Sequence, residues 1–361
     1  MSRSSKRWRH RVCNSARVVG CVCIALTLGI GLQAEQEPDE VPVLLFGIGV
    51  HIEPFGAQVS TIALDAGASL RTLDPRQMNY NQRPDFERHV EDLLNLAAAV
   101  EEHAGVLTIQ AQTPFTTSCV RFDNTVLSDL EDRGHEIGLH FHENVHLGED
   151  EEGLPPEVWT AVMQEEIAWI HRSGVQGPVR YWSGGNLYPQ LLQAAADAGL
   201  SLNSDWKNPA TQSAPISLID IHPWRPSGGT DGEDLTAFAA HDPNGNIIFL
   251  PGGRIDPVAF AHKNEIRASD GLEGWLQVLE DALLASLAAA RADRVNVFHF
   301  TVHPGEFVGN PERPYELLRD FLDDVVDPLV AKGRIQWATF SEMGAAFEAW
   351  ESDHPFVDPR S

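Results

Sequence analysis

Cysteine is scarce and badly placed for crosslinking. Three of the four cysteines (Cys13, Cys21, Cys23) fall within the first 34 residues, and the rest of the chain keeps only Cys119. Residues 35–361 therefore hold no internal disulfide and no cysteine-based zinc site. Basic residues are also few: 26 Lys and Arg stand against 52 Asp and Glu, a formal charge of −26. Six of the bases lie in residues 1–34, which contain no acid, so the remainder sets 20 bases against all 52 acids. A surface of that sign repels phosphate backbones, which excludes sequence-blind nucleic-acid binding. The N-terminal apolar run Val18–Leu32 has 15 residues, short of the roughly 20 a membrane-spanning helix needs. Internal repeats and low-complexity tracts are absent. Two hydrolase signatures fail as well. Tyr181 stands where a GxSxG elbow requires its first glycine, and Leu139 stands where an HExxH zinc helix requires its second histidine.

What is there begins with a basic stretch ending at Arg17, the apolar run, and the polar Gln33-Ala34-Glu35. That order describes a secretory signal peptide cleaved near Ala34 or, uncleaved, a signal anchor, and it predicts a periplasmic or secreted protein. Residues 35–361 then alternate strand and helix patterns and read as one domain. Strands are expected over Val41–Val50, Gly105–Gln112, Glu136–Phe141, Ile247–Leu250, Val295–Val302 and Ile335–Ala338. Helices are expected over Phe86–His103, Val126–Asp132, Val158–His171, Leu187–Ala198, Leu272–Ala290, Arg313–Val330 and Ser341–Trp350. Such alternation predicts a parallel sheet or barrel with helices outside. Residues 207–245, rich in Pro, Gly, Ser and Asp, read as a long surface excursion.

Catalytic groups in such folds sit at strand ends, and four segments place chemistry there. Residues two apart on a strand share a face. His51 and Glu53 therefore point together beyond the first strand, where Pro54 ends the ladder. His140 and His142 form a second same-face pair, within a stretch holding four histidines in residues 135–146. Two imidazoles with one carboxylate from another strand make a three-ligand set with an open position, as catalytic zinc requires. The third segment is Arg180-Tyr181-Trp182-Ser183. Here Arg180 can clamp a carboxylate and Trp182 can stack on a sugar, against surface and core roles for the two. In the fourth, His299, Thr301 and His303 alternate with Phe298, Phe300 and Val302. His303, the last of its row before Pro304-Gly305, has the address of a general acid or base, whereas His299 lies deeper and reads as structural.

With these segments in order, the chain resembles the polysaccharide deacetylase family, the NodB-homology domains of carbohydrate esterase family 4. Gly134–His140 resembles the stretch entering the family's metal-binding histidine motif, and Arg180–Gly185 its arginine motif. Phe300–Pro304 resembles the strand bearing its catalytic histidine, and Trp337–Met343 its last strand-to-helix junction. The likeness spans roughly residues 42–350. It implies an irregular (β/α)7 barrel and zinc-assisted removal of acetyl groups from an N-acetylated carbohydrate. Glu53, His140 and His142 would hold Zn2+, His51 would be the base, His303 the acid, Arg180 a carboxylate clamp and Trp182 part of the sugar groove. Two positions depart from the family. Its first motif carries an aspartate pair where this chain has His51 and Glu53, and its His-x-x-x-His is replaced by His140-x-His142 with Asn144 beyond. Divergent members share the His-x-Glu-Pro and His-x-His forms. The departures leave open a non-catalytic carbohydrate-binding or scaffold protein, and a metallohydrolase of a non-sugar amide.

Overall fold

The alternating apolar segments condense into a curled parallel sheet with helices around it. The structure is a computed structural model that describes residues 41–71, 77–149, 151–184, 190–204, 215–229, 234–310 and 312–361. The N-terminal segment read as a signal lies outside the described residues, as do Gly185 and the expected helix start at Leu187. Ten strands are present among the described residues: β1 Leu44–His51, β2 Leu107–Ala111, β3 Glu136–His140, β4 Tyr181–Ser183, β5 Leu202–Asn203, β6 Ile248–Phe249, β7 Asn296–Val302, β8 Gly309–Asn310, β9 Arg313–Pro314 and β10 Ile335–Trp337. All but β8 and β9, which form a small antiparallel hairpin, belong to one eight-stranded parallel sheet in the order β10-β1-β2-β3-β4-β5-β6, with β7 on β1. Because the strands are parallel, their C-terminal ends gather on one side. This is the parallel, helix-flanked sheet that the alternation predicts, curled into the incomplete (β/α)7-type barrel that the family resemblance implies.

Both faces of the sheet are buried, as parallel strands with crossover helices demand. On β1 the residues Phe46, Ile48 and Val50 face the helix layer and are fully buried. The opposite face reads Leu45, Gly47, Gly49, His51. A Cβ at Gly47 would lie 2.9 Å from Phe340 and Met343, so glycine there admits the last helix, Phe340–Asp353, which fills the sheet's concave side. Thr339 caps that helix: its hydroxyl accepts from Glu342 N at 3.2 Å, and its own N–H donates to Glu342 at 2.7 Å. Among the described residues no helix is long and apolar enough to cross a membrane.

Two expectations change. Described parts of the 207–245 excursion return to the core: Ile221, Trp224 and Phe238 are fully buried, and Val297 N donates to the Ile221 carbonyl at 2.7 Å. The expected helix Arg313–Val330 opens instead with strand β9. It then runs as Glu316–Phe321, a π-helical turn Leu322–Val326, and Asp327–Ala331. Pro328 has no N–H for the i→i−4 ladder, and the wider turn ahead of it absorbs that loss.

Candidate metal centre

The C-terminal ends of β1, β3 and β7 bring His51, Glu53, His140, His142 and His303 into one cluster. Glu53 lies at its centre: one carboxylate oxygen is 3.1 Å from His142 Nε2, and the other is 3.1 Å from His303 Nε2. The His51 ring stacks on His140 at 4.1 Å and meets His303 edge-on at 5.6 Å. His140 and His142 lie perpendicular at 4.6 Å. Glu53, His140 and His142 offer one ligand atom each within 4.8 Å of one another, and so do His51, Glu53 and His303. Same-face alternation thus delivers what the sequence expected of these five residues: they meet.

His140 is 1% exposed, and its Nδ1 lies 3.0 Å from Ser183 Oγ. Its Nε2 is buried without a hydrogen-bond partner among the described residues. The ring sits close against Gly184, which adopts φ +76°, and a Cβ there would lie 2.7 Å from His140 Cε1. Burial, followed by the neighbouring histidines, holds the His140 pKa well below the ordinary value, so the ring is neutral. Burial pulls Glu53 the other way, yet its contacts with His142 and His303 outweigh that and keep the carboxylate ionised, well below the usual range. His303 is the cationic member. Burial opposes its charge, but hydrogen bonds to Glu306 and Glu53 prevail and push its pKa up to about 9.

Glu306 is a residue the sequence reading passed over. It accepts from the His303 backbone N–H at 2.8 Å, contacts His303 Nδ1 at 3.1 Å, and is ion-paired with Arg267. Its signal was present in His303-Pro304-Gly305-Glu306: Gly305 takes φ +85°, which folds the turn back and returns the carboxylate to the histidine. A cavity of about 550 Å³ opens beside His303, with Arg88, His89, Asp92, Arg267 and Glu306 on its walls.

Two expected site residues do not join the cluster. Arg180 precedes β4 and so lies at the opposite, N-terminal end of the sheet. It is paired there with Glu348 at 3.1 Å and reaches Ser201 Oγ at 3.3 Å. It is not placed to clamp anything in the cluster. Trp182 faces the helix layer and is 0% exposed, so it cannot line a groove; its neighbour Ser183 has the inward position. His299 is structural, as expected, with Nε2 3.0 Å from the Leu250 carbonyl and its ring 4.6 Å from Phe340.

The donor set fits a divalent transition metal. It combines an ionised carboxylate and two imidazoles, one of them neutral with a buried nitrogen left open. No family model matches the sequence, and no curated protein matches it. Solved structures share the fold, among them three that span most of both chains. One is assigned as a polysaccharide deacetylase from Mycobacterium smegmatis, with a TM-score of 0.51, 14% identity, and coverage of 90% of this chain and 95% of that one. Another is assigned as a polysaccharide deacetylase from Pseudomonas aeruginosa PAO1, with a TM-score of 0.50, 14% identity, and coverage of 88% and 93%. The third is an allantoinase, with a TM-score of 0.51, 13% identity, and coverage of 90% and 96%. The chain has the fold of the polysaccharide deacetylases.

Proposed function

We propose that this protein is a metal-dependent hydrolase that removes acetyl groups from an N-acetylated carbohydrate, with Glu53, His140 and His142 holding the ion. The observation that carries this reading is the buried, open Nε2 of His140 beside Glu53 and His142, with His303 Nε2 on the other side of the same carboxylate. Bound Zn2+, or another divalent transition metal, supplies a Lewis acid for the amide carbonyl and a water of near-neutral pKa. The chain's own residues do the rest. His303 carries a proton on Nε2 and passes it to the departing amine, and Glu306 holds the ring from Nδ1. His51, stacked on His140, is assigned as the base. The cavity beside His303 gives the substrate its approach. Residues 1–34 would export the protein to the periplasm or beyond.

The missing aspartate pair at the end of β1 favours a second reading, a carbohydrate-binding or scaffold protein on the same barrel. An amide outside carbohydrate chemistry fits the same ligands, and an allantoinase shares the fold. The test is elemental analysis of the full chain after metal loading, beside Glu53→Ala, followed by acetate release from N-acetylated glycan oligomers. About one ion per wild-type chain, lost in the variant, together with acetate release, is expected. Stoichiometric metal without turnover of glycans or simple amides selects the binding reading. A wild type that takes up no metal overturns the metal-dependent hydrolase.

A further inference from the structure

Strand β2 lies between the two strands that bring Glu53 and His140 to the cluster, and it places Gln110, fully buried, beneath them. Gln110 Nε2 donates to the Thr108 carbonyl at 3.2 Å, which turns Oε1 toward Ser183. The reverse amide orientation would set two acceptors against each other. Ser183 Oγ donates to that Oε1 at 2.8 Å. A serine hydroxyl has one proton, so once it is committed to Gln110 the oxygen can only accept from His140 Nδ1, 3.0 Å away. The imidazole must then carry its proton on Nδ1, and Nε2 is left as a lone pair. That atom is the buried nitrogen with no hydrogen-bond partner among the described residues.

We propose that Ser183 and Gln110 are positioning residues that fix the His140 tautomer and so create the lone pair facing Glu53 and His142. The metal this lone pair would serve rests on the preceding reading; the tautomer does not. The relay runs through residues 73 positions apart.

The tautomer is read directly in the full-length, metal-free protein by long-range 1H–15N correlation of 15N-labelled histidine, with His140 assigned by its loss in His140→Gln. The wild type should show Nδ1–H at His140. Ser183→Ala leaves Nδ1 without a partner and should give a mixture of tautomers, whereas Ser183→Thr keeps the hydroxyl and should keep Nδ1–H. Gln110→Met frees the serine proton to donate to Nδ1 and should move His140 toward Nε2–H. That variant decides the matter if Ser183→Ala does not fold. Chelator competition then measures zinc affinity. Ser183→Ala should bind about 10–100-fold more weakly, the scale on which groups orienting a ligand act, and Ser183→Thr should bind like the wild type. Unchanged Nδ1–H in Gln110→Met overturns the relay, whether or not Ser183→Ala folds. If the tautomers shift as stated but no variant, wild type included, binds zinc, the relay stands and the metal reading falls.

Discussion

The two ends of β3 each carry a buried histidine, and they differ in one respect. His135, at the N-terminal end and 3% exposed, has both ring nitrogens paired: Nδ1 accepts from Leu107 N–H at 3.0 Å, and Nε2 meets Glu101 at 2.9 Å. His140, at the C-terminal end, has one nitrogen paired and one open. The contrast extends to the surroundings. Between the two, Glu136 accepts from Thr108 Oγ1 at 2.9 Å, from Ser341 N at 3.0 Å and from the Ser341 hydroxyl, tying the closed end of the sheet to the last helix. Leaving a buried polar atom unpaired costs about 1–3 kcal/mol. At His140 that cost falls beside Glu53 and His142, where a ligand can recover it. Residue type and burial are the same in both histidines; the completeness of their hydrogen bonding separates them and leaves only His140 with a nitrogen open to a ligand.

Removing each histidine in turn tests that contrast most severely. His140→Ala should abolish stoichiometric metal binding. His135→Ala should keep the metal and lower the unfolding free energy by about 1–3 kcal/mol, because Leu107 N–H loses its acceptor. Elemental analysis and chemical denaturation of both variants read the two effects, and loss of metal from His135→Ala would break the contrast. Next in size is His303→Ala, which should retain the ion while turnover of the best acetylated substrate falls about 10²–10⁴-fold. A pure His303→Ala preparation with wild-type turnover would remove His303 from the chemistry.

What the sequence disclosed depended on periodicity. Alternation by two placed His51 with Glu53, and His140 with His142, on shared faces, and it put His303 at the end of its row. These groups do converge. The same alternation could not say which face of β4 points inward, because in this sheet both faces are apolar: Trp182 packs on helices and Tyr181 on Phe340 at 4.9 Å. A strand boundary sets Arg180 apart from the cluster, since β4 is only three residues long and separates the closed end from the open one. The π-helical turn escaped notice because apolar spacing is nearly the same whichever hydrogen-bond ladder carries it. Ser183 and Gln110 left no mark at all. Serine and glutamine advertise no chemistry, and their link to His140 exists only through pairing of β2, β3 and β4.

The open end also contains groups that are fully paired, and these sharpen the contrast further. Glu166 accepts from Thr113 N and Thr113 Oγ1, both at 2.7 Å, and lies 3.5 Å from His146. Burial nevertheless pushes its pKa up to about 7 from an ordinary 4.5. A carboxyl whose folded pKa is raised holds its extra proton only in the folded state between those values. Its contribution is therefore full below about pH 4.5 and is lost as pH rises through about 7, a change on the order of 3 kcal/mol. Glu166→Gln should flatten that part of the stability profile, read from denaturation midpoints at pH 5 and pH 8. An unchanged slope would mean that Glu166 is ionised throughout.

The smallest effect belongs to Arg180, at the closed end of the sheet. Its guanidinium pairs with Glu348 where both side chains are about a third exposed (34% and 40%), and such pairs contribute roughly 0–1 kcal/mol. Its backbone carbonyl, which accepts from Ser201 N at 2.8 Å and Leu202 N at 3.1 Å, is unaffected by a change of side chain. Arg180→Ala should thus shift stability by no more than about 1 kcal/mol and leave metal content and kcat/KM at wild-type values. A fall of tenfold or more in kcat/KM, in a variant that still unfolds at the wild-type midpoint, would show the closed end acting on the chemistry. The contrast between the paired and the open histidine of β3 would then not mark the boundary between structure and function in this barrel.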